Sequence, residues 1–185
     1  MKKRSHILLG RYLNELQAFD KPRHEKAFLF GCVEPDYNYL TYLKGALTCG
    51  ATRGHNYIKA QQNLRKTIVK LQKNRCLPML KYYRLGKLMH YVADAFTSPH
   101  NDVFSAADHI DYEKRLHIQL IMDIADPFGI FQSRFGGSLI EYFTKKHQEY
   151  LDAWQSPHTD VQFILEATAV VFRQLMPKTA IAGEG

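Results

Sequence analysis

The sequence predicts an all-α fold, a single compact bundle of about seven helices, on three observations. Apolar residues recur at helical period along most of the chain, clusters containing proline or glycine punctuate these stretches, and no segment shows the strict alternation of a half-buried strand. With 185 residues, 45% of them hydrophobic, the chain is long enough to enclose one core. No composition shift marks a second domain. Residues 1–178 are therefore expected to form one domain and 179–185 a flexible tail.

Each element has its own signal. Ser5 is placed to cap a first helix in which Ile7, Leu8, Tyr12, Leu13, Leu16 and Phe19 share a face, ending before "DKPRHE". The passage "FLFGCVEPDYN", with Gly31 and Pro35, reads as a loop, followed by a second helix from Tyr37 to Leu47 and an exit at "CGATRG". A third helix opens near His55 and is polar except for the stripe Ile58, Leu64, Ile68 and Leu71, as suits a surface helix with one buried face. Beyond Pro78, "MLKYYRLGKLMHYVADAFTS" is more apolar and is expected to cross the core, with a turn at Ser98 because the residue before proline disfavours the α region. Further helices are expected over Ala106–Ala125, Phe131–Trp154 and Asp160–Leu175, with "DPFG" and "QSPHTD" between them.

Charge and cysteine content narrow the setting. A formal charge of +7 and a pI near 9.3 favour anionic partners. Cys32, Cys49 and Cys76 are odd in number and lack a CxxC pairing, which suits reduced, packed thiols. The opening "MKKRSHILLGRYL" is basic, but its apolar run spans only Ile7 to Leu9, too short for the core of a secretory signal. No uninterrupted apolar run approaches the roughly 18 residues of a membrane span. The expectation is a cytoplasmic protein without stable membrane insertion.

The chemistry concentrates in "HYVADAFTSPH". His90 and Asp94 stand four residues apart, so on a helix they share a face about 6 Å apart, and His100 follows the proline. A second pair of the same spacing, His109 and Glu113, lies in "HIDYE". Histidine and carboxylate on rigid helices suit zinc or a similar ion. Loop or helix-end positions add His6, Asp36 in "EPDYN" and His55 in "RGHNY".

The ordered set "SH", "GCVEPD", "GHNY", "HYVADAFTSPH" and "HIDYE" resembles the zinc-dependent phospholipase C family, which shares its fold and metal cluster with single-strand-specific zinc nucleases. The resemblance spans His6 to Glu113; the helices after about Leu120 carry no matching motif and read as scaffold. It implies two or three zinc ions per chain. Asp36, His55, His90 and Asp94 would hold one, and His100, His109 and Glu113 a second. Asp94 would bridge to a third, also held by His6 and by the backbone of the first residue, here Met1 where the family usually has tryptophan. Asp36 would also be the catalytic base for the attacking water. The implied activity is a metal-dependent phosphodiester hydrolase acting on a phospholipid headgroup. A nuclease acting on single-stranded nucleic acid would use the same ligands. The contrasting reading, a non-catalytic metal-stabilised helical domain, fits less well, because structural zinc sites are usually closed and cysteine-rich.

Among the other residues, Asp102, Asp108 and Asp111 are placed to orient the imidazoles or simply to be solvated, and Tyr37, Tyr39 and Tyr57 to meet substrate. His24, His117, His147 and His158 fall outside the ligand set and are expected to be exposed.

Overall fold

A computed structural model describes residues 1–37, 57–72, 77–101, 105–125 and 137–176, with only the backbone described at 57–63 and 106. The expected helix from Tyr37 to Leu47 beyond Tyr37 itself, His55, Cys49, Cys76, Tyr39, Asp102, the Tyr57 and Ile58 side chains and the tail lie outside the described parts.

The described residues form eight helices and no strand: α1 (Lys3–Leu16), α2 (Pro22–Tyr37), α3 (Tyr57–Gln72), α4 (Pro78–Ala95), α5 (Ser98–Asn101), α6 (Ala106–Ala125), α7 (Leu139–Asp152) and α8 (Pro157–Leu175). The all-α class is as the sequence predicts, with differences in detail. "FLFGCVEPDY" is helix rather than loop: Pro35 costs α2 one ladder bond near its end, and the packing of Phe28, Gly31 and Cys32 against α4 outweighs that loss. Pro99 does not simply break the chain after α4. The turn comes at Phe96–Thr97, and Pro99 sits in the first turn of α5, where a proline nitrogen has no partner to lose. Ser5 is not a cap: α1 begins at Lys3, and Ser5 is buried inside it. α1 also stops at Leu16, and α7 begins only at Leu139 and ends at Asp152. Ser156, by contrast, does cap α8, accepting from Thr159 N–H at 3.1 Å ahead of Pro157.

Two helices form the centre of the core. α4 contributes Leu85, Leu88, Met89, Val92 and Ala93, as its apolar sequence predicts. α8 is the second, burying Val161, Ile164, Leu165, Ala167, Ala169, Val170, Val171 and Phe172. α3 turns the expected Leu64, Ile68 and Leu71 inward. Phe28, Phe96, Phe143, Tyr150 and Phe172 fill the space between helices.

α2 and α4 meet backbone to backbone. A Cβ on Gly86 would overlap the Phe28 carbonyl oxygen and stand 2.9 Å from the Cys32 nitrogen. A Cβ on Gly31 would overlap the Tyr83 carbonyl oxygen and stand 3.0 Å from the Lys87 nitrogen. Each helix thus presents a glycine to the other's backbone, and Lys87 closes the same seam with a 2.7 Å ion pair to Glu34.

Three of the histidines expected at the surface are buried: His24, His117 and His147. His24 stacks on Tyr82, and His117 Nδ1 lies 2.9 Å from Ser5 Oγ, joining α6 to α1. His147 packs beside Phe96 and Phe143, with Nε2 3.2 Å from Asn101 Oδ1. Burial lowers its pKa from 6.5 to about 4.

Two expected outcomes follow. Gly86→Ala forces a methyl into a backbone, so urea unfolding should show a loss of about 3 kcal/mol or more. The unfolded chain protonates His147 before the folded one does, so its stabilising contribution is complete above pH 6.5 and is lost as pH falls toward 4. Urea midpoints of His147→Gln should therefore vary less over that window than those of the parent.

Candidate metal centre

The candidate ligands arise from five elements. His6 projects from α1, Asp36 from the last turn of α2, His90 and Asp94 from α4, His100 from α5, and His109 and Glu113 from α6. The close α2–α4 seam sets the first orientation: His90 Nδ1 lies 2.9 Å from the Cys32 carbonyl, which fixes it as a donor and turns Nε2 toward Asp94 Oδ2 at 3.1 Å. Cys32 acts here through its backbone. Its thiol is packed, as expected, and burial pushes its pKa up.

Asp94 is the hub. Its Oδ1 faces the Met1 α-amino nitrogen at 2.8 Å and His6 Nε2 at 3.3 Å. Its Oδ2 faces His90 and, at 3.7 Å, His100 Nε2. Ligand atoms of His6, His90 and Asp94 all lie within 4.8 Å of one another. Asp36 Oδ1 stands 3.8 Å from His90 Nε2. Glu113 Oε1 is 3.4 Å from the Met1 nitrogen and 3.3 Å from His109 Nε2, so the α6 pair joins the hub through the amino group. The His100 and His109 ring centroids are 6.2 Å apart. The structure thus brings together the predicted residues it describes; His55 lies outside the described part. The cluster is closed on one side and open on the other: the His6 side chain is 1% exposed and that of His109 33%.

The electrostatics follow from a buried carboxylate among nitrogen donors. Burial alone would raise the Asp94 pKa, but the Met1 ammonium and the His100, His90 and His6 imidazoles outweigh it and hold the carboxyl well below its usual range. Burial would likewise lower the Met1 amine, yet Asp94 and then Glu113 keep it raised. His6 and His90 stack with centroids 3.9 Å apart. Burial, helped by the charge of His90, lowers His6 to about 3, while Asp94 outweighs burial and raises His90. Burial raises Asp36 despite His90.

This donor set suits a cation. His6 Nδ1 and Asp36 Oδ2 are buried without a hydrogen-bond partner among the described residues. Such atoms normally cost folding free energy unless something coordinates them. The α-ammonium against Asp94 and Glu113 marks where positive charge is wanted; deprotonated, the same nitrogen is a donor.

A family model described as zinc dependent phospholipase C matches residues 5–167. The chain belongs to this family. The search of curated proteins and the search of solved structures each gave no match. As a member of the zinc dependent phospholipase C family, the protein is in general terms a metal-dependent phospholipid hydrolase. The match reaches well past Glu113 into α8, so the helices read from sequence as scaffold fall within it too. No described helix is long and apolar enough to cross a membrane.

Some neighbours were not legible in the sequence. Ser5 and His117 tie α1 to α6 beside the candidate ligands, and only the spacing of His117 four residues after Glu113 hints at it. Asp108 and Asp111, candidates for orienting imidazoles, instead pair with Ser105 and Arg115 at the exposed surface of α6.

Because Asp94 faces both halves of the cluster, Asp94→Asn should release more zinc than any other single ligand substitution. Mass spectrometry of the purified variants measures this, and unchanged zinc in Asp94→Asn would exclude a bridging role.

Proposed function

We propose that the protein is a phospholipase C-type phosphodiesterase whose centre holds two or three zinc ions through His6, Asp36, His55, His90, Asp94, His100, His109 and Glu113, with the Met1 amine completing one site. The observation that carries this is the two-sided environment of Asp94, with the amine and His6 on one oxygen and His90 and His100 on the other. A carboxylate so placed is suited to bridging.

Zinc bound there supplies a Lewis acid that makes water nucleophilic near neutral pH and offsets phosphate charge. The chain's own residues do the rest. Asp36, with one carboxylate oxygen facing His90 and the other lacking a hydrogen-bond partner among the described residues, accepts the proton of the attacking water. The stacked His6 and His90 rings and the apolar core behind them keep bulk water from the inner wall. The open side, toward His109 and Glu113, is where a phosphate can approach. Next to Asp36, exposed Tyr37 carries the Lys3 ammonium 3.7 Å from its ring centroid, a cation at the rim for an anionic ester.

The test is a turnover assay on phosphatidylcholine vesicles beside one on a single-stranded oligonucleotide, with and without a zinc chelator. Chelator-sensitive release of phosphocholine is expected. Cleavage of the oligonucleotide alone would move the assignment to a nuclease, and no turnover of either by zinc-loaded protein would contradict the catalytic reading. Asp36→Asn should lower kcat by about 100-fold or more while releasing at most one ion. Full activity in that variant would remove Asp36 as the base.

A further inference from the structure

A second buried carboxylate, contained in none of the candidate ligand motifs, accepts hydrogen bonds from the segments that carry His100 and Glu113. Asp160 lies in the first turn of α8 and is 0% exposed. Its carboxylate does not cap its own helix; it reaches across to two other segments and to α7. Ser98 N–H donates to Oδ2 at 2.8 Å, and Ser98 Oγ lies 3.1 Å from Oδ1 and 3.2 Å from Oδ2. Tyr112 O–H donates to Oδ2 at 2.9 Å and Tyr150 O–H to Oδ1 at 2.8 Å. Hydrogen bonds to an ionised acceptor are the strong kind, and one carboxylate here gathers several of them away from solvent.

The positions of the partners give the cluster its meaning. Ser98 lies between Asp94 and His100; Tyr112 lies between His109 and Glu113. Within the first segment the path to the imidazole is short. Thr97 Oγ1 donates to the Asp94 carbonyl at 2.8 Å and stands 2.6 Å from His100 Nδ1, while Asn101 Nδ2 donates to the Ala95 and Thr97 carbonyls, both at 2.9 Å. A shift of Ser98 is therefore a shift of His100. A shift of Tyr112 rotates the face of α6 that carries His109 and Glu113.

We propose that Asp160 is a positioning residue for the metal centre, fixing the distance between the His100 segment and the His109–Glu113 face of α6 through Ser98 and Tyr112. This rests on the ligand reading above. Two helices joined only through apolar contacts can slide at little cost; joined through a common buried carboxylate they cannot, because the displaced hydroxyl or amide would lose a charged partner without gaining water. Groups that orient ligands in this way typically change metal affinity by 10- to 100-fold when removed.

The experiment compares Tyr112→Phe, Asp160→Asn, His100→Ala and Tyr142→Phe. The last removes a buried tyrosine hydroxyl that is not among the partners of Asp160 and serves as the control. Each protein is titrated with a chelator of known affinity while bound zinc is counted by mass spectrometry. Circular-dichroism melting of the metal-free form is measured alongside, and visible absorption of cobalt-substituted protein reports ligand geometry. The expected result is that Tyr112→Phe and Asp160→Asn weaken the most loosely held ion by about 10-fold or more and shift the cobalt bands, while Tyr142→Phe does neither. Zinc affinity in Tyr112→Phe equal to that of Tyr142→Phe, with an ion lost from His100→Ala, would overturn the positioning role and leave the ligand reading standing. All zinc retained by His100→Ala would overturn the ligand reading, and the proposal with it. If Asp160→Asn does not fold, Tyr112→Phe, which deletes one hydroxyl and keeps the ring, decides the question.

Discussion

A single buried negative charge organises this bundle. Asp94 sits on the central helix with almost no exposure to water, and a carboxylate so placed costs several kcal/mol unless positive or hydrogen-bonding groups meet it. The chain answers with donors from different directions: the first residue and His6 from one end, His90 from the same helix, and His100 from α5 just beyond it. α1, α4 and α5 are thus held in mutual register partly by the need to keep that charge compensated. Zinc bound between these groups would extend the same compensation, and the fold would then be coupled to the metal.

Steric closeness makes the arrangement possible. Gly31 and Gly86 let α2 and α4 touch along their backbones, and that contact brings the Cys32 carbonyl to His90 Nδ1 and Asp36 within reach of Nε2. Larger residues at either glycine would push the helices apart by more than a ligand sphere tolerates. On the far side, α6 is tied to α1 by Ser5 and His117 and to the turn after α4 through Asp160. His109 precedes both ties along α6 and is more exposed than Glu113 or the other described candidate ligands.

The fold class and the two i, i+4 pairs were legible in the sequence because helical periodicity is a local property: His90 with Asp94 and His109 with Glu113 need only one helix each. "GCVEPDY" misled for the same reason. Glycine and proline together signal a loop when read locally, whereas Gly31 is required by α4 and the one ladder bond lost at Pro35 is outweighed by the packing of α2 on α4. Buried histidines were missed because exposure depends on what packs across from them, as with His24 under Tyr82 and His147 beside Phe96. Asp160 carries no sequence signal as a partner of the site; Tyr150, Tyr112 and Ser98 lie 10, 48 and 62 residues away, and only the packing of α5, α6, α7 and α8 brings them together.

The central claim is that the groups around Asp94 are a zinc site. Its most direct test is the metal content of untagged protein purified without chelators, measured by mass spectrometry against protein concentration from amino-acid analysis. Two or three zinc ions per chain are expected. A fully folded protein carrying no metal would show that the amine, the imidazoles and the carboxylates satisfy one another, and would contradict it.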